Sequence, residues 1–169
     1  MWDKRLGSQR SRGPALVLLA ILFLASFVPV AKGRSGSMQF RKIYFDPPGR
    51  DSASNEDLNA ERVVIRNETS GDRRLEGWVL KDAGGENVYT FPDVTIHSGD
   101  SVIVHTGQGR QKPAACTVNG HRVCVTHLYW GLDAYVWDND TDRAKLKSRS
   151  SNVVDRCGYS STDESPKRC

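Results

Sequence analysis

The stretch ERVVIRN, residues 61–67, puts Val63 and Ile65 on one side of an extended chain and Arg62, Val64 and Arg66 on the other. A period of two belongs to a strand with one buried face, and a helix cannot satisfy it. GWVLKD repeats the pattern, with Trp78 and Leu80 against Val79 and Lys81. VYTFP, SVIVHT, HLYW, AYVWD, AKLKS and VVDRCGY follow at short intervals, separated by the turn-forming runs TSGDRR, DAGGEN, HSGD, NDTD and SRSSN. No segment sustains a helical period. Many short strands between Gly, Asn, Asp and Ser turns predict an all-β, antiparallel sandwich or barrel. The expected core is Ile43, Phe45, Val63, Ile65, Trp78, Leu80, Phe91, Val102, Val104, Trp137, Leu146 and Val154.

The N-terminus has a different composition. MWDKRLGSQRSRGP carries Lys4, Arg5, Arg10 and Arg12, and ALVLLAILFLASFVPVAKG is then uncharged until Lys32. A basic region, an apolar run and small residues such as Ala31 and Gly33 predict a secretory signal peptide over residues 1–33. An uncleaved signal anchor helix is the alternative, because the run from Ala15 to Ala31 falls just short of a spanning helix. The positive-inside rule exports the remainder in both cases. The expected organisation is therefore a signal or anchor at 1–33, a domain at 34–159, and a polar tail at 160–169.

The charge of the whole chain is +4, but residues 1–33 hold five of its 24 basic residues and one of its 20 acids, leaving 19 of each. Nucleic-acid binding needs a basic surplus on one surface, so a balanced domain does not favour it. The four cysteines, Cys116, Cys124, Cys157 and Cys169, all follow the leader, in the compartment where disulfides form. Local pairing of Cys116 with Cys124 and of Cys157 with Cys169 fits best. In CTVNGHRVC, a three-residue loop Asn119-Gly120-His121 opposes the first pair, whereas a two-residue Asn-Gly turn opposes Cys116 to Val123. A zinc site built on Cys116, Cys124 and His127 is the rival, with only one ragged ligand cluster.

The first strand meets an abrupt corner in IYFDPPGRD. Two prolines and a glycine after Asp46 cannot continue a strand, so the chain turns there into the polar run PPGRDSASNEDLNAE. That loop and TGQGRQKPAA suit exposed surfaces where binding groups sit.

IYFDPPGRD, LNAERVVIRN, LEGWVLKDAGG, YTFPDVTIHSGDSVIVHTGQG, LYWGLDAYVWDNDTDRAKL and VVDRCGY, taken in this order, resemble the lamin-tail domain, in particular its secreted bacterial versions. The likeness runs from about Ile43 to Tyr159. It implies an immunoglobulin-like β-sandwich without a catalytic centre. The chain departs from the family in two places. Asp138-Asn139 and Thr141-Asp142 stand where an Asn-Asn and a Gly-Asp pair are usual, and the Cys116–Cys124 hairpin resembles an insertion.

Motifs for chemistry are sparse. Asp138, Asp140 and Asp142 repeat at the spacing of a calcium loop, but Arg143 and Arg149 stand where an EF-hand needs glycine and glutamate, so a plain turn is expected and no metal is assigned. His97, His105, His121 and His127 accompany no nucleophile motif and are expected to be scattered, and paired acids such as Glu61 and Glu68 to be solvated. Of the clustered aromatics, Trp137 and one tyrosine belong in the core, which leaves Tyr129, Trp130 and Tyr135 as surface candidates. Asp46, Arg50 and Asp51 at the proline corner complete the expected partner-binding set. The expectation is a secreted, non-enzymatic module without cofactor that binds an extracellular or cell-envelope protein or polysaccharide. Extracellular nucleic-acid binding is the second choice, and membrane attachment is expected only through an uncleaved N-terminal segment.

Overall fold

The alternation of ERVVIRN is realised in strand β2 (Arg62–Asn67), whose Val63 and Ile65 are completely buried while Arg62, Val64 and Arg66 are half-buried on the outer side. β2 lies between β1 (Met38–Tyr44) and β7 (Ser101–His105) in a six-stranded sheet ordered β12-β1-β2-β7-β9-β8, with β8 at Lys112–Val118, β9 at Arg122–Tyr129 and β12 at Lys167–Arg168. A four-stranded sheet, β11-β10-β4-β5, comprises Val153–Tyr159, Asp142–Lys147, Val79–Lys81 and Val88–Thr90. A small ribbon pairs β3 (Arg73–Arg74) with β6 (Thr95–Ile96). This computed structural model describes residues 36–48, 52–118 and 122–169, all in the unit Lys32–Cys169. The predicted leader, Arg50, Asp51 and the hairpin tip Asn119–His121 lie outside the described residues.

The inner faces of the sheets share one core. Phe40, Ile43, Val102, Val104 and Leu128 come from the larger sheet, and Leu80, Ala144, Leu146 and Tyr159 from the smaller. Trp137, Phe91, Leu75 and Ile96 close it from the flanks. Each fully buried side chain of this size stabilises the fold by about 1.5–3 kcal/mol. Ten of the twelve expected core residues are buried; Trp78 and Val154 pack against the core but stay half-exposed at its margin.

Both cysteine pairs are disulfides. Cys116 stands opposite Cys124, with Thr117 opposite Val123 and Val118 opposite Arg122, which is the register of the three-residue loop; with both sulfurs bonded, no thiolate remains for zinc. Cys157 on β11 joins Cys169 just after β12, so this bridge links the two sheets.

Three features differ from the sequence-based expectation. The sheets are not purely antiparallel: β7 and β9 run parallel, because the β8–β9 hairpin folds back and inserts β9 beside β7. The polar segment after the corner contains a short helix, α1 (Asn55–Ala60), capped by Ser54, whose Oγ accepts from the Asp57 amide, and fastened by the buried Leu58. AYVWD is not a strand. The amides of Val136 and Trp137 donate to the carboxylate of Glu61, at 3.1 and 2.8 Å, in place of a ladder partner.

Candidate partner-binding rim

Glu61 corrects the expectation of solvated acids. It follows directly on α1 and is fully buried. Besides the two amides it receives, its carbonyl accepts from the Thr106 amide, so one residue connects α1, β7 and the segment leading into β10. Burial pushes its pKa up to about 7, against the opposing effect of the amides and the nearby Thr106 hydroxyl.

Arg62, the next residue, points outward. Tyr44, Arg62, His105 and Tyr129 are neighbours in register across β1, β2, β7 and β9 and form one row on the outer face of the larger sheet. The Arg62 guanidinium lies 3.7 Å from the centre of the Tyr44 ring and donates to the Ala60 carbonyl at 2.6 Å. The His105 ring stacks on Tyr129 at 4.9 Å. His105 Nδ1 is 2.7 Å from the Asn59 carbonyl, which can only accept, so this nitrogen carries the proton. His105 Nε2 is then an acceptor, and His127 Nδ1 donates to it at 2.9 Å. Burial, first of all, holds both histidines below the usual imidazole pKa, and the cations Arg62 and Lys112 add to it. Two of the four histidines are therefore paired and not scattered. Parallel pairing of β7 with β9 brings them together, and nothing in their spacing of 22 residues announces it.

The row ends at the proline corner. A cleft of about 480 Å³ opens between Tyr44, Pro47, Pro48, Ala60, Arg62 and Pro166, mostly apolar with the Arg62 cation on one wall. Asp46 is exposed on the ridge between this cleft and a more polar one lined by Phe45, Asn139, Asp163 and Glu164. The Asp46 amide donates to Ser165 Oγ at 3.1 Å, tying the corner to the tail, and Cys157–Cys169 fastens the tail to the sandwich.

Of the expected partner-binding residues, Asp46 and Tyr129 lie at the two ends of this surface. Trp130 is on the opposite side of β9 from Tyr129, packed against Tyr89 and Trp137 at 5.5 and 6.3 Å, so it belongs to the core margin. Tyr135 is half-buried in the connection from β9 to β10. Gly109 crosses over Tyr129 so closely that a Cβ there would come 2.4 Å from its ring, so glycine is required. The acidic turn is taken up internally: Asp138 Oδ1 accepts from the Asp140 amide, and Asp142 Oδ1 from the Ala83 and Arg143 amides. Among the described residues no three His, Cys, Asp or Glu side chains converge as a metal-ligand group.

A family model described as Lamin Tail Domain matches residues 32–161, most of the chain. The chain belongs to the lamin-tail-domain family. No curated protein matches it. The lamin-tail domain is an immunoglobulin-like fold and not a catalytic one, in keeping with the two-sheet architecture. The match stops before Ser165, Pro166, β12 and Cys169, so one wall of the cleft lies outside the lamin-tail match. Arg62, His105, His127 and Tyr44 were not legible as a site, since the only sequence signal was their polar placement on the outer side of strands.

Proposed function

We propose that this lamin-tail domain is an exported, non-enzymatic interaction module that binds a cell-envelope or extracellular protein or polysaccharide through rigid loops. The observation that carries this reading is the apolar cleft at Pro47 and Pro48, built from a stiff corner, a short helix and a disulfide-held tail. A preformed cleft lowers the ordering cost of binding. Two disulfides fit an extracellular location. Among the described residues no helix is long and apolar enough to cross a membrane. The Cys116–Cys124 hairpin lies at the end of β9 away from Tyr129, where the Cys124 amide donates to Asp100, so it is a second loop region, separate from the cleft.

The test compares the protein with Ala60→Trp, which fills the cleft, and with a version whose hairpin is shortened to a tight turn. Binding to envelope fractions is measured before and after protease and periodate treatment, which separates protein from polysaccharide partners. Loss on filling the cleft is expected, and undiminished binding by both variants overturns the assignment. The row of Tyr44, Arg62 and Tyr129, flanked by Lys42 and Lys112, also favours a second reading, the handling of extracellular nucleic acid. A DNA mobility shift that weakens steeply with salt supports that reading.

A further inference from the structure

The outer face of the four-stranded sheet carries a different pattern. Lys145 stands directly opposite Lys81 on one side and Arg156 on the other, and Lys81 stands opposite Val88. In the adjoining row Lys147 stands between Val79 and Val153. Arg143 packs its stem over Gly158 at the end of the same face. Five cations therefore share one surface, and among the described residues none of them forms an ion pair with a carboxylate. The bordering acids include Glu76, already paired with Arg74 and Arg149, Asp163 near Arg143, already paired with Lys167, Glu86 in the turn between β4 and β5, and Asp142, which accepts from backbone amides. Opposed like charges oppose folding, so this arrangement has a cost the fold does not itself require. Nor does it follow from composition, because residues 34–169 carry equal numbers of acids and bases.

We propose that this face docks on an anionic phospholipid bilayer. The cations spread in two directions, about 4.8 Å apart across the strands and about 6.8 Å apart along β10, which suits a plane of charge better than a single polymer line. Val88 and Val153 are the exposed large hydrophobic residues among the described residues, and both lie in these rows, where they can enter the boundary between headgroups and acyl chains. The face presents no aromatic ring for stacking a base and no helix to enter a groove, so it lacks the usual means of reading nucleic acid.

Full-length protein is titrated with vesicles of phosphatidylcholine alone and of phosphatidylcholine mixed with phosphatidylglycerol. The basic N-terminal segment, with Lys4, Arg5, Arg10 and Arg12, also responds to phosphatidylglycerol, so the share of this face is read from the difference between the protein and variants that all keep that segment. The triple variant Lys81→Gln, Lys145→Gln, Arg156→Gln is expected to lower the gain with phosphatidylglycerol on the order of a hundredfold. Lys145→Glu, which places a carboxylate between two cations and so supports the fold, is expected to weaken binding in the same direction. Lys42→Gln with Arg168→Gln, on the other sheet, is expected to leave it unchanged, as is Ala60→Trp, which separates this inference from the cleft reading. Equal binding to both vesicles overturns the proposal, as does a triple variant that keeps the gain. So does capture of duplex DNA or a polyuronate at a salt concentration where anionic vesicles are not bound.

Discussion

The two outer faces of the sandwich both carry cations but differ in how far they partner them: on the larger sheet three arginines are held by neighbours, although Lys42 still stands opposite Arg168, whereas on the smaller sheet the opposed cations are not held. On the larger sheet Arg62 is stacked on Tyr44 and bonded to the Ala60 carbonyl, and Arg41 and Arg66 share Glu68 at 3.4 and 3.5 Å. On the smaller sheet Lys81, Lys145 and Arg156 face one another without a carboxylate. The first group is spent inside the molecule, where it shapes the rim and the cleft. The second is left free for something outside. Position on a strand predicts neither outcome, since both groups alternate with buried residues in the same way; the cross-strand neighbour decides.

The comparison holds only while the sheets keep their places, and Glu61 is the strongest fastening to break. Glu61→Ala leaves two buried amides without acceptors and is expected to cost about 3 kcal/mol or more, read as a shift in the urea midpoint. The same residue makes stability depend on pH. Its folded pKa, about 7, lies above the ordinary value of 4.5, so its contribution is fully present below about 4.5 and is lost as pH rises through about 7, a change of about 3 kcal/mol. His105 and His127 act with the opposite sign: their pKa values are depressed, so their contribution is present above the ordinary imidazole value and is lost as pH falls. Urea unfolding of the protein and of Glu61→Gln at mildly acid and mildly alkaline pH separates the two, because the glutamine variant keeps only the histidine limb.

Next in size is the bridge between the sheets. Replacing Cys157 and Cys169 together by alanine releases a loop with a sequence separation of 12 and is expected to cost about 3 kcal/mol. It also frees the tail that walls the cleft. Envelope binding is therefore expected to fall with it, while the cation rows, which depend on the β4, β10 and β11 ladders, keep their lipid response. Loss of both responses together would show that the two faces are not independent.

Much of this was legible in the sequence, and the remainder was hidden for identifiable reasons. Alternation disclosed β2, β7 and β10 because each buries one face, and the spacing of Cys116 and Cys124 admitted the observed hairpin register. α1 was hidden because six residues are too few to show a helical period, although Ser54 and Asp57 stood at the spacing of a capping box. The burial of Glu61 was hidden because its partners lie 75 and 76 residues away, on a segment whose apolar alternation imitated a strand. At the rim, Asp46 was legible from its prolines, whereas the meeting of His105 with His127 depends on a parallel pairing that only the inserted hairpin creates.

The smaller effects give the contrast its sharpest form, because they differ in sign. Arg62→Ala removes the ring contact and the packing of its stem, and is expected to destabilise by about 1 kcal/mol with little dependence on salt. Lys145→Gln removes the middle charge of an opposed row and is expected to stabilise by about 0.5 kcal/mol in dilute buffer. Repulsion between exposed charges is screened, so that gain should vanish near 1 M salt, where the Debye length is only about 3 Å. Urea midpoints for the two variants at both salt concentrations decide the matter. A loss at Lys145 as large as that at Arg62 would mean that its charge is partnered after all, and the difference between the faces would disappear.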